Sequence, residues 1–311
     1  MARIDASGKP PQGLIERSAR DVAARYGQSF VVDWFRRYWL GVWFAVMSGL
    51  WLYLTLRNGV IPNDEQYIMA TRRWLDGIDP WAGEYDPGWY SAPPPTLLAM
   101  VPFAVLPYGR LLLLVVAIVA AIATIRVIKR PWYWILYPPL VVSMLGGGLD
   151  TWLIPLILLG HGWLAVLAKV YAAVPLVFLG RWRSLLVAGV LLLVTAPILP
   201  WASYFAQLPT ILQHHASQAP GLAAPIFLVP VVVIALALMG RDRAAWMAVP
   251  ALWPSTSWYY NTIALPGLTP VAAALMAIPS SYTVVAACVV LAVDSRRGRA
   301  GLIAEADPVP A

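Results

Sequence analysis

The chain has 311 residues, of which 60% are hydrophobic and only 12% charged, with a mean hydropathy of +0.69. That composition excludes an ordinary water-soluble domain, and long apolar runs without period-2 alternation exclude an outer-membrane barrel. One cysteine, Cys288, excludes an intramolecular disulfide or a thiolate cluster, and the net charge of +7 sits in short basic clusters at the ends of apolar runs, which is topology information and not a nucleic-acid footprint.

What remains is an all-α polytopic membrane protein, because crossing a bilayer takes roughly 17 to 25 apolar residues in a helix that satisfies its own backbone. Residues 1–37 form an N-terminal segment with seven bases (Arg3, Lys9, Arg17, Arg20, Arg25, Arg36 and Arg37), which the positive-inside rule assigns to the cytoplasm. Ile15, Ala19, Val22, Tyr26 and Phe30 recur there at helical spacing between arginines, as in a helix lying on the inner membrane surface, with a partly ordered tail as the equal alternative. The transmembrane domain is expected over 38–293 and a cytoplasmic tail over 294–311.

The first span, Tyr38 to Leu56, leads out to a long polar loop, 58–95, that holds six acids (Asp64, Glu65, Asp76, Asp79, Glu84 and Asp86) out of fifteen in the chain. A polar loop of this length between apolar segments is uncommon unless it is functional or disordered. Its rings, among them Tyr67, Trp74, Trp81, Trp89 and Tyr90, suit a membrane surface and argue for order. Pro93–Pro95 open a short run to Pro107, followed by Leu111 to Ile128, a basic knot (Arg126, Lys129, Arg130), Trp132 to Leu145 and a GGGLD stretch. Thr151 to Gly180 has room for two short helices broken near Gly160 and Gly162. Later runs end at Arg181 and Arg183, at Arg241 and Arg243, and at Arg296, Arg297 and Arg299. Taking about ten crossings, both termini and these three clusters fall in the cytoplasm, and the knot at 126–130 falls outside, unless re-entrant pieces lie between 93 and 180.

Asp64 stands where the first span meets the outer water, and on a helix it shares a face with Tyr67. It is the candidate general base for activating a hydroxyl against a lipid-borne substrate. Transfer from a phosphate ester needs only one such base, because phosphate leaves as a stable anion, whereas a glycosidase needs a second carboxyl group to protonate its leaving alkoxide. Cations must then receive the phosphate, and Lys169, Arg72 and Arg73 are the candidates, joined by Arg126, Lys129 and Arg130 if that knot lies outside. Lys169 is the sharpest of these, since a charge inside an apolar stretch costs on the order of 2.5 to 3.5 kcal/mol and needs a partner. The alternative for it is snorkelling to an interface. Glu65, Tyr67, Tyr90, Trp258 and Tyr260 are candidate substrate contacts. The aromatic cluster Trp253, Trp258, Tyr259 and Tyr260 reads equally as an interfacial belt or as a sugar-stacking wall. Asp150 reads as a helix N-cap. His161, His214 and His215 make no zinc set, and a divalent cation on Asp64 and Glu65 is a minor alternative.

The ordered set of an apolar span, D-x-x-Y from Asp64, L-D-G-x-D-P from Leu75, W-Y-x-A-P-P from Trp89, G-W-L-A-V-L-A-K ending at Lys169, P-L-V-F-L-G-R-W-R ending at Arg183, and W-P-S-T-S-W-Y-Y-N from Trp253 resembles the GT-C-fold membrane glycosyltransferases. Within these it is most similar to glycosyltransferase family 87, the polyprenol-phosphate-mannose-dependent mannosyltransferases. The likeness covers about residues 38 to 270. It departs from the family pattern at Tyr260, where histidine is expected, and at Val170, where proline is expected. The resemblance implies inverting transfer of mannose or another hexose from a polyprenyl-phosphate donor to a hydroxyl of a membrane lipid or glycan. It also implies that transfer occurs on the extracytoplasmic face, with Asp64 matching the family's first-loop base. A lipid-linked-sugar transporter, or a non-catalytic accessory protein, is the competing expectation.

Overall fold

The computed structural model describes residues 37–54, 57, 64–82, 90–146, 148–218, 226–253 and 258–305. The side chains of residues 64, 214–218, 226 and 298–305 lie outside that description, as do residues 1–36 with the expected interfacial helix. The chain divides into two compact units, 1–43 and 44–311. In the first, the described residues 37–43 are helical, with the Arg37 guanidinium over the Tyr38 ring.

In the second unit every described element is helical. α1 covers 44–54, α2 Asp64–Leu75, α3 Pro95–Val105, α4 Gly109–Val127, α5 Pro138–Leu145, α6 Asp150–Leu158 and α7 Gly162–Ala168. Beyond them α8 covers Ala173–Phe178, α9 Trp182–Thr195, α10 Trp201–Gln218, α11 Val229–Met239 and α12 Arg241–Leu252. A 3-10 helix over Trp258–Gly267 then leads to α13, Pro270–Met276, and α14, Ser281–Glu305. Proline opens α3, α5, α11 and α13, where the first turn has no carbonyl for the missing N–H to bond.

α4 is the one described helix long and apolar enough to cross a membrane by itself. The pair α5 and α6 meets the same test only when taken together, and it bends by 110° at its break. α4 buries Gly109, Leu113, Ala117, Ala121, Thr124 and Ile125, a stripe at three- and four-residue spacing whose small members let α6 come close. There the Thr124 hydroxyl donates to the Thr151 carbonyl at 3.3 Å.

The stretch 151–180 breaks twice. The first break is at Gly160, whose φ of +93° is the left-handed conformation that glycine adopts without penalty. The second is at Lys169, whose φ of −148° and ψ of 114° are extended. The two expected helices are therefore three short ones, α6, α7 and α8, with Lys169 in a gap between the last two.

The basic clusters meet at one end. Arg130 donates to the Leu268 carbonyl, Arg243 to the Ser295 hydroxyl at 2.8 Å, Arg241 to the Phe178 carbonyl and Arg181 to the Ile157 carbonyl. The count of one crossing per apolar run put the knot at 126–130 opposite the other clusters. The contacts of Arg130 and Arg243 instead bring the knot to the same end as the other clusters, as the alternative of re-entrant pieces between 93 and 180 expects, and α5 and α6 bend by 110° at their break.

Candidate functional site

Lys169 ends α7 with its backbone N–H on the Ala165 carbonyl at 2.9 Å and its carbonyl taken by the N–H of Ala172 at 2.9 Å. The gap is thereby closed by one 3-10 turn, Val170–Ala172, and α3 pins it through the Thr96 hydroxyl on the Ala168 carbonyl at 3.1 Å. The side chain is only 5% exposed. Its ammonium lies 5.2 Å from the Tyr67 ring centre and 5.5 Å from that of Tyr260, within cation–π range of both. Among the described residues no carboxylate is within ion-pairing distance of it.

Asp150 is the nearby anion. It is 1% exposed and is the first residue of α6, whose cap position is Leu149. Its carboxylate accepts the Tyr171 hydroxyl. The Tyr171 ring lies 4.8 Å from Tyr260 and 6.0 Å from Trp253, so acid, tyrosines and lysine form one buried network. The N-cap reading of Asp150 is thus replaced. A capping acid would stand one residue earlier, at Leu149; this one lies inside the first turn, against its own N–H, and also accepts from a side chain two residues past Lys169.

The polar loop reaches the same place. Asp79 accepts the Trp81 N–H at 2.8 Å and the Ser203 hydroxyl of α10. Trp81, fully buried, donates to the Ala92 carbonyl at 3.2 Å and packs on Tyr90 and Tyr204. Tyr90 meets Tyr67 edge-on at 5.7 Å. Burial raises the pKa of the Tyr67 hydroxyl above that of an ordinary tyrosine, and the Lys169 charge pulls it the other way. Between these groups is a cavity of about 120 Å³ lined by Ser91, Lys169, Tyr171, Tyr204, Trp253 and Tyr260. On α10, Trp201 touches Tyr204 at 6.0 Å and faces a separate apolar groove of about 670 Å³, shared with Leu186, Val190, Leu193 and Phe205.

Of the residues expected from sequence, the structure gathers Lys169, Tyr67, Tyr90 and Tyr260. Asp64 opens α2 one turn before Tyr67, and its side chain lies outside the described residues, as do Glu84, Asp86 and Trp89. Arg72 and Arg73 hold backbone, donating to the carbonyl of Ala104 near the end of α3 at 2.9 Å and to that of Ala82 in the loop at 2.6 Å. Glu65 faces Arg110 at 3.9 Å, and Trp258 donates to the Met276 carbonyl at 3.1 Å and packs near Trp51. Asp150, Tyr171, Tyr204 and Ser91 were not among the expected site residues. The single sequence signal for them was Tyr171, an amphipathic ring beside the buried lysine. Among the described residues no three metal-ligating side chains converge.

The site is well separated from the basic end. Eight residues of 3-10 rise, ~2.0 Å each, put Tyr260 ~16 Å from Leu268. Along α12, ten residues at ~1.5 Å put Trp253 ~15 Å from Arg243. No family model matches the chain, and neither curated proteins nor solved structures give a match.

Proposed function

We propose that the chain is a multi-pass membrane glycosyltransferase of GT-C type, similar to family 87. It moves mannose or another hexose from a polyprenyl phosphate to a hydroxyl of a membrane lipid or glycan on the extracytoplasmic face of the plasma membrane. The observation that carries this reading is the Lys169 ammonium, buried beside an aromatic cavity with tyrosine side chains rather than a carboxylate as its immediate neighbours. Such a cation keeps donors for an incoming anion, and a phosphate is the anion that the proposed donor brings.

In the reaction, Asp64 takes the proton of the acceptor hydroxyl as its oxygen attacks the anomeric carbon from the face opposite the phosphate. The carbon–oxygen bond to phosphate breaks, and the phosphate keeps the electron pair beside Lys169. Helical rise puts the Asp64 backbone only ~4.5 Å along α2 from that of Tyr67, the ring under the lysine. The base and the ring that faces the phosphate cation are thus held by one helix, while the cation itself comes from the gap after α7.

Membrane residence is supported by large apolar side chains left in contact with the surroundings, such as Leu193 at 74% and Leu186 at 70% exposure on α9, which a water-soluble surface rarely gathers. The convergence of the basic clusters favours a cytoplasmic assignment for that end and the opposite half for Lys169. The groove between α9 and α10 has the apolar character an isoprenoid chain needs. The chemistry is tested by incubating membranes with radiolabelled polyprenyl-phosphate mannose. Label should pass to a lipid or glycan fraction, and Asp64→Asn should abolish this at unchanged protein level. Transfer that survives in Asp64→Asn removes Asp64 as the base.

A lipid-linked-sugar carrier is the second reading, favoured by the finding of two buried ionisable groups, Asp150 and Lys169, in one site. In the same assay it would move labelled donor across the bilayer without changing it.

A further inference from the structure

Arg130 and Arg243 come from sequence clusters over a hundred residues apart and stand close together at the basic end. Arg130 is half-buried. Its guanidinium lies 4.5 Å from the Trp134 ring centre and donates to the Leu268 carbonyl. Arg243, also half-buried, donates to Ser295, and its backbone packs against Gly267, the neighbour of Leu268. Two like charges held this way disfavour each other. Burial first, and then the Arg243 charge, lower the pKa of Arg130 from the ordinary arginine value.

Among the described residues no carboxylate forms an ion pair with either arginine. The acid closest in the chain to their hydrogen-bond partners, Asp294, accepts the Thr269 hydroxyl at 3.4 Å. Further bases neighbour these residues in the chain and are exposed: Arg126 and Lys129 before Arg130, Arg241 before Arg243, and Arg296 and Arg297 after Ser295. Arg296 and Arg297 continue, at helical spacing, a face of α14 on which Val289 and Val293 are exposed. A basic patch continuous with an exposed apolar stripe matches one class of ligand, an amphiphile with an anionic head.

We propose that Arg130 and Arg243 form a binding site for the phosphate of an anionic glycerophospholipid, whose chains run along the exposed valine face of α14. Guanidinium forks suit phosphate oxygens, and basic pockets between helices on the cytoplasmic side are where anionic head groups bind. The bound phosphate offsets the repulsion between the two arginines, so occupancy stabilises the fold. The site rests on the membrane part of the reading above and is independent of sugar transfer. Whether detergent is required for extraction tests that part separately.

The test uses the full chain purified in detergent, with thermal unfolding followed as phosphatidylglycerol, phosphatidylcholine or inorganic phosphate is added. Phosphatidylglycerol should raise Tm by ~3 °C or more, and native mass spectrometry should find it retained. Arg130→Gln and Arg243→Gln should each weaken the effect at least tenfold, while Arg183→Gln, exposed in another cluster, should leave it intact. If Arg130→Gln does not fold, Arg243→Gln, which gives up a single hydroxyl contact, decides. Equal stabilisation by phosphatidylcholine or by inorganic phosphate would overturn the proposal, as would a glutamine variant that responds like the unmodified protein.

Discussion

The Lys169 ammonium stands 5.2 Å from the centre of the Tyr67 ring, so the first polar loop and the gap between α7 and α8 share one charge. Two segments about a hundred residues apart are thereby coupled, and changes in either should be felt at the other.

Tyr67→Phe keeps the ring under the lysine and Tyr67→Leu removes it. A desolvated cation–π contact is worth up to ~2 kcal/mol, so the leucine variant should melt well below the phenylalanine one. The pH dependence comes from the raised Tyr67 pKa. A tyrosine harder to ionise when folded contributes stability that is complete below its unfolded pKa of ~10 and fades as pH rises toward the folded value. The stability advantage of the unmodified protein over Tyr67→Phe should therefore shrink above about pH 10, measured by denaturant titration in detergent.

Lys169→Met deletes the cation and leaves Asp150 buried with Tyr171. Loss of one partner from a contact ion pair costs ~3 to 5 kcal/mol, and the wider separation here should make the loss smaller. Adding Asp150→Asn should recover most of that stability while sugar transfer remains absent. Full transfer in Lys169→Met would disconnect the lysine from the phosphate.

Trp81 anchors the loop by burial, by its bond to Ala92 and by ring contacts to Tyr90 and Tyr204. Trp81→Ala should cost ~3 to 5 kcal/mol. Trp81→Phe should lose much less, chiefly the hydrogen bond at ~1 kcal/mol, in thermal unfolding.

Gly109 and Gly189 separate steric from entropic effects. A Cβ at Gly109 would stand 1.7 Å from the Phe103 carbonyl oxygen, whereas at Gly189, inside α9, nothing lies within 4 Å. Gly109→Ala should cost at least the ~1 to 3 kcal/mol of an overpacked core. Gly189→Ala should gain ~0.5 to 1 kcal/mol from helix propensity. Comparison of the two melting curves checks both signs.

The helical class of the chain and the oddity of Lys169 were legible in the sequence, because continuous apolar runs and one charge inside them are local signals. Tyr260 and Trp258, two residues apart, read alike, yet one covers Lys169 and the other bonds Met276. Which way a 3-10 helix turns each ring is decided by packing with α12 and α5. Asp150 misled for a similar reason. An acid at the start of a helix is a common cap, and only the fold brings Tyr171 back to it. The knot at 126–130 was hard to place because counting apolar runs treats each as a straight rod, whereas α5 and α6 bend by 110° at their break.

α7 is seven residues long and is clamped at both ends, by the Gly160 turn before it and by the Thr96 hydroxyl on Ala168 at its close. Each residue added to a helix swings the chain beyond it by about 100°. One insertion would therefore sweep the Lys169 amine off both tyrosine rings, whatever residue was inserted. Phase, as much as the small buried face of Gly162, Ala165, Val166 and Ala168, is what that short rod must preserve, so its length is as constrained as its packing.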